Sequence, residues 1–143
     1  MDPIEFLELA EELVERKTPG ACRTAIGRAY YGALNVACDR LRASGLKVSG
    51  GSGIHQETWQ DFFNCGIADL QVAGSQLSDM QGMRNKADYK MNAPDAQDYT
   101  TAKKWVEDAR EHIETIIRHF EPASLAPTII AIKKYRKLVN RPI

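Results

Sequence analysis

Residues 83–90 read Met-Arg-Asn-Lys-Ala-Asp-Tyr-Lys, and they set an arginine where helical spacing calls for apolar side chains. Steps of three and four residues back from Arg84 reach Met80, Leu77 and Ala73, and forward steps reach Ala87 and Met91. A guanidinium held there can stabilise negative charge. Asp88 lies one turn on, at the spacing that pairs with Arg84 and holds it in place. Asn85 and Tyr89 complete the polar group. The same residues also admit an architectural role, in which Arg84 snorkels past small neighbours to water or sits in a buried pair. An earlier segment carries a second polar stripe, Arg28, Tyr31 and Asn35, beside an apolar face that includes Ile26, Ala29, Tyr30 and Ala33. A solvated helix face is the plain account of that stripe.

Other chemistry is thinly supplied. His112 and His119 share a helix face but stand roughly 10 Å apart along the axis, too far to chelate one metal. Cys22, Cys38 and Cys65 include no CxxC pair. No metal and no cofactor are expected. Nineteen basic residues balance nineteen acidic ones, so no global charge draws the chain to nucleic acid or to an anionic membrane. The charge is unevenly spread: the first fifteen residues are acidic, whereas 122–143 carry Lys133, Lys134, Arg136, Lys137 and Arg141 without an acid. Such a basic tail can hold phosphate electrostatically. No run reaches the eighteen or so apolar residues that span a bilayer, and no signal peptide opens the chain, so a reducing cytoplasm is the expected compartment.

The elements that must position these residues are helices. Asp2 reads as the cap of a first helix over 2–17, with Thr18-Pro19-Gly20 ending it. The spacing predicts further helices over 20–44, 68–92 and 95–120, with Ala93-Pro94 breaking the third of the long ones and Asp95 and Asp98 opening the fourth. Gly27 and Gly32 lower helix propensity in the second and point to close packing there. A short helix is expected over 55–64, after the flexible loop SGLKVSGGSG, and a final one beyond 127, after a PASLAP connection. The architecture expected is all-α: one domain, an antiparallel up-down four-helix bundle with an extra short helix and a C-terminal helix. The seam Leu70, Ala73, Leu77, Met80, Arg84 and Ala87 exceeds what a modest helix needs for its own core, and a homodimer across it is expected.

Two segments also carry a resemblance. RTAIGRAYYGALNVACDRL and RNKADYK, with His55 opening the helix between them, resemble the small prokaryotic HEPN-domain proteins over roughly residues 4–120. GRAYYGAL is similar to the family's S-R-A-Y-Y-A second helix, and RNKADY to its R-x-x-A-D-Y third-helix ending. The resemblance implies a dimer whose paired third helices bring two polar sites together across a cleft. It further implies an RNA-directed protein of a defence, toxin–antitoxin or stress-response system, binding RNA or cleaving it without metal. Nuclease members follow the arginine with a polar residue and then a histidine. Arg84 and Asn85 fit the first two positions, but position 89 holds Tyr89, and a tyrosine near pKa 10 is a poor base. His55 could enter the cleft from its own helix. The implied site is Arg84 and Tyr89 as chemical groups, with Asn85, Asp88, Arg28, Tyr31 and His55 binding. The alternative is a non-catalytic module that docks a partner protein encoded nearby, such as a nucleotidyltransferase, for which Tyr89 could serve as a modification target.

Overall fold

Cap residues fix where some of the helices begin, and one of them serves a different helix from the one its sequence suggests. The computed structural model describes residues 1–143, which form six α-helices and one 3-10 turn, with no strand. Helix α1 (Ile4–Val14) is capped by Asp2, whose carboxylate accepts the Ile4 N–H at 3.1 Å. It stops short of residue 17, and Lys17 takes a left-handed backbone, φ 60°. Thr18-Pro19 then opens α2 (Pro19–Ala43) instead of closing α1. The Thr18 hydroxyl accepts the Ala21 N–H at 3.3 Å, and Pro19 fills the first helical position, where a missing N–H is no loss.

Helix α3 (Ile54–Asn64) matches its expected span, whereas α4 (Ala68–Tyr89) ends three residues early. Met91 therefore lies beyond the helix and is 66% exposed, outside the seam that the spacing suggested. A 3-10 turn at Pro94–Ala96 follows, so Asp95 falls in the turn. Asp98 alone caps α5 (Tyr99–His119), accepting the Thr101 N–H at 3.0 Å. Helix α6 (Pro122–Leu138) starts earlier than expected: PASLAP forms its opening turns, with Pro122 at the first position.

The core lies where α2 packs on α1, α4 and α5 and where α4 packs on α3 and α5. Leu7, Ile26, Tyr30, Leu77, Val106 and Ile113 are all essentially inaccessible there. Two glycines permit the closest approaches. A Cβ at Gly32 would come 3.2 Å from the Leu7 backbone N, and one at Gly74 would come 2.5 Å from the Phe63 backbone N. The α4 seam behaves differently from its sequence reading. Leu70, Ala73, Leu77, Met80 and Ala87 are each 2% exposed or less inside their own chain, so they leave no apolar strip for a second copy.

Helix α6 is tied down by charge. Arg136, 1% exposed, meets the equally buried Asp61 of α3 through Nε–Oδ1 at 3.1 Å and Nη2–Oδ2 at 2.7 Å. Its Nη1 donates to the Lys47 and Pro142 carbonyls, and Arg141 reaches Asp61 Oδ1 at 2.9 Å. Two cations of the basic tail are therefore structural. Between α1 and α5, Arg110 grips Glu11 with two bonds of 2.6 Å. No helix is long and apolar enough to cross a membrane.

Candidate functional site

The last turns of α4 carry Arg84, Asn85, Asp88 and Tyr89, and the structure brings them against Arg28 and Tyr31 of α2. Arg84 is only 18% exposed along its side chain, and its Nε lies 2.9 Å from Asp88 Oδ2. That N–H is not aimed at the carboxylate oxygen, so the contact is an ion pair and the buried Nε–H is left without a hydrogen-bond acceptor. Nη1 donates to Asn85 Oδ1 at 3.1 Å. Gly27 of α2 faces Asp88, and a Cβ there would sit 3.6 Å from Oδ1, ordinary contact rather than a clash.

Cations and rings then alternate across the surface. The Arg28 guanidinium lies 5.3 Å from the Phe6 ring and 5.1 Å from the Tyr31 ring. Arg84 lies 5.1 Å from the other neighbour of this series, the same Tyr31 ring, and 5.6 Å from Tyr89. The ladder Phe6–Arg28–Tyr31–Arg84–Tyr89 thus sandwiches one tyrosine between two guanidiniums. Each such contact contributes about 0.5–1 kcal/mol at exposed sites and more where water is excluded.

Arg23 fixes where this segment ends. Its Nη1 donates to the Lys86 and Ala87 carbonyls at 3.2 and 3.0 Å, and its Nη2 to those of Met91 and Ala93 at 3.0 and 3.2 Å. The Gln97 side chain takes Nε and Nη2 as well. The last carbonyls of a helix have no partner within it, and here a cation from another helix supplies one. Nothing in the sequence around Arg23 points to acceptors more than sixty residues away.

His55, in the first turn of α3, joins through Tyr30. The Tyr30 hydroxyl and His55 Nδ1 are 2.6 Å apart, their rings stack at 5.8 Å, and the Tyr31 ring meets the imidazole edge-on at 6.4 Å. Burial, and secondarily the Arg84 charge, push the His55 pKa below its ordinary 6.5. Burial chiefly, with Tyr31 adding, pushes the Tyr30 phenol upward. Because Tyr30 keeps its proton, it donates to Nδ1, and we assign the imidazole proton to Nε2. Tyr30 reads in the sequence as one more apolar-face residue, since its ring is buried and only its hydroxyl does polar work.

A pH dependence follows. The unfolded chain takes up a proton at His55 near pH 6.5, while the folded chain resists it until a lower pH. Protein stability from this group is therefore complete above pH 6.5 and declines as pH falls from there toward the folded value. Proton NMR titration should give a His55 midpoint below 6.5, moved upward in Arg84→Ala, which removes the repelling charge. A midpoint unmoved by that change would remove Arg84 from the causes.

All seven residues that the sequence nominated lie in this one contact chain: Arg28, Tyr31, His55, Arg84, Asn85, Asp88 and Tyr89. Two guanidiniums against one carboxylate leave a positive charge among aromatic faces. That combination suits a phosphate with a stacked base. No group of three or more His, Cys, Asp or Glu side chains converges to hold a metal ion. Comparison with protein-family models, with curated proteins and with solved structures gives no match to this chain.

Proposed function

We propose that this chain is a HEPN-like, RNA-directed protein, with its four long helices running up and down, that binds single-stranded RNA or cleaves it weakly. A defence, toxin–antitoxin or stress-response system in a reducing cytoplasm is its setting, in keeping with three free thiols. The observation that carries the reading is the ladder of three rings and two guanidiniums, since stacked bases need π-faces and the backbone needs cations. Arg84 is the group for phosphate charge. Tyr89, 71% exposed, is the outermost stacking face. Asn85, Asp88, Arg28, Tyr31 and His55 hold the two in position. A homodimer belongs to the same reading. With the α4 seam buried, its two-fold contact falls on the exposed end of α4, around Tyr89 and Met91.

The exposure of Tyr89 and Met91 also favours a second reading, a non-catalytic module that docks a partner protein such as a nucleotidyltransferase. One experiment separates the two: thermal melts beside binding and cleavage of single-stranded RNA by wild type, Arg84→Ala and Tyr89→His. Arg84 pairs with a carboxylate that is 36% exposed and meets two rings, so its loss should cost about 1–3 kcal/mol of stability, short of unfolding the protein. RNA affinity should fall by about tenfold, the size of one charge-assisted phosphate contact. Tyr89→His supplies a group that titrates near neutrality and should create or increase cleavage. If Arg84→Ala unfolds the protein, or all three ignore RNA alike, the docking reading replaces the RNA one.

A further inference from the structure

Two sequence features that the Arg84 site leaves unused meet in one place. The glycine- and serine-rich loop after α2 and the basic C-terminal segment wall a cavity of about 240 Å³, whose polar lining is Lys47, Ser49, Glu57, Arg136 and Arg141. Charge within it is unequal. Arg136 and Arg141 share the single buried carboxylate of Asp61. Glu57 is the one other acid, and its carboxylate stands 3.8 Å from Arg141 Nη2, beyond hydrogen-bonding distance. Three cations against two carboxylates leave one positive charge.

Donors are left over as well. The bonds of Arg141 run from its two Nη atoms to Asp61 and to the Glu57 carbonyl, so its Nε–H has no protein acceptor. The exposed Lys47 contributes only its backbone carbonyl to Arg136, which leaves the ammonium free. Helix α3 begins beside this cavity with no side-chain cap; its Ile54 and Glu57 N–H groups donate to the Gly51 and Gly53 carbonyls, and only those of His55 and Gln56 are left without an acceptor in the chain. A Cβ at Gly50 or Gly51 would touch nothing, and the loop is open on that side to an incoming group.

We propose that this cavity binds a phosphate monoester, either free or at the 5′ end of an RNA strand. A dianion that draws Arg141 away from Glu57 exchanges a loose 3.8 Å contact for short charge-assisted bonds. The concave shape admits a terminal group rather than a diester inside a strand. The site stands independently of the RNA role given to Arg84.

Calorimetric titration of the full chain with inorganic phosphate at low ionic strength tests it, using wild type, Lys47→Glu, Arg141→Gln and Arg84→Ala. Lys47→Glu should weaken phosphate binding on the order of tenfold or more, because it reverses a charge beside the anion. Its melting temperature should stay unchanged, since that side chain is exposed and unpaired. Arg141→Gln should weaken binding as well, and Arg84→Ala, which removes only the phosphate contact of the other site, should leave the Lys47-dependent binding within about twofold. A second arm compares short RNAs with 5′-phosphate and 5′-hydroxyl ends. A preference for the phosphorylated end that Lys47→Glu abolishes supports the cavity and identifies RNA as the source. Phosphate binding without that preference supports the cavity and identifies the free ion. Absence of saturable phosphate binding at millimolar concentration overturns the proposal, as does affinity lost in Arg84→Ala but kept in Lys47→Glu.

Discussion

Asp61→Asn should cost the protein about 3–5 kcal/mol, because it strips the counter-charge from a fully buried guanidinium and leaves a second beside it. Asp61 and Arg136 are both 1% exposed, and Arg141 bonds the same carboxylate. The amide that replaces the carboxylate accepts at one oxygen only, where two oxygens now serve two arginines. Urea denaturation should show the midpoint fall with the slope unchanged. Arg136→Met should also destabilise, though less, since Arg141 still neutralises Asp61. The two changes together should cost well under their sum, which identifies a coupled pair. Additive losses would show that Asp61 and Arg136 act separately.

Gly74→Ala should destabilise, against the sign that helix propensity gives. In an unencumbered helix, alanine gains about 1 kcal/mol over glycine. At Gly74 the new methyl would lie 2.5 Å from the Phe63 N and 2.7 Å from the Trp59 carbonyl oxygen, both backbone atoms of α3. Backbone cannot rotate aside, so α3 must shift, at a cost of about 1–3 kcal/mol or more. Gly82, on the same helix, is the built-in control: a Cβ there meets nothing within 4 Å, and Gly82→Ala should stabilise. Thermal melts of the two variants should move in opposite directions. Displacement of α3 should also loosen the contact between His55 and Tyr30, and bring the His55 titration back toward 6.5.

The helices were legible because their determinants are local. Asp98 caps α5 through Thr101, three residues on, and the period of Val106, Ala109, Ile113 and Ile116 needs no partner to be recognised. Ends were less legible where one signal serves two purposes. Thr18-Pro19-Gly20 is as good a stop as a start, and only the Thr18 bond to Ala21 decides between them. The site was legible as a set of residues because its types are unusual for their positions, Arg84 above all. What the sequence could not disclose is long-range pairing. Asp61 reads as an ordinary surface acid and Arg136 as part of a basic tail until the fold brings them together across 75 positions. Tyr30 and Arg23 were hidden in the same way, each by a polar tip on a buried stem.

Arg23 has a consequence for the order of events as the chain is made. Its acceptors lie 63 to 74 residues downstream. At about 5–20 residues per second, synthesis takes about 4–15 s to span that interval. Through that time α2 can coil, but the cation in its first turns has only water to bond. When α4 and the turn after it arrive, the carbonyls that fray first in most helices are the ones Arg23 seizes, so the end of α4 forms late and then opens rarely. The Lys90 and Ala93 amides, which bond within that turn, should therefore exchange hydrogen nearly as slowly as the core. A chain cut off before Lys86 has no such anchor, and its α2 carries a guanidinium with nothing to hold.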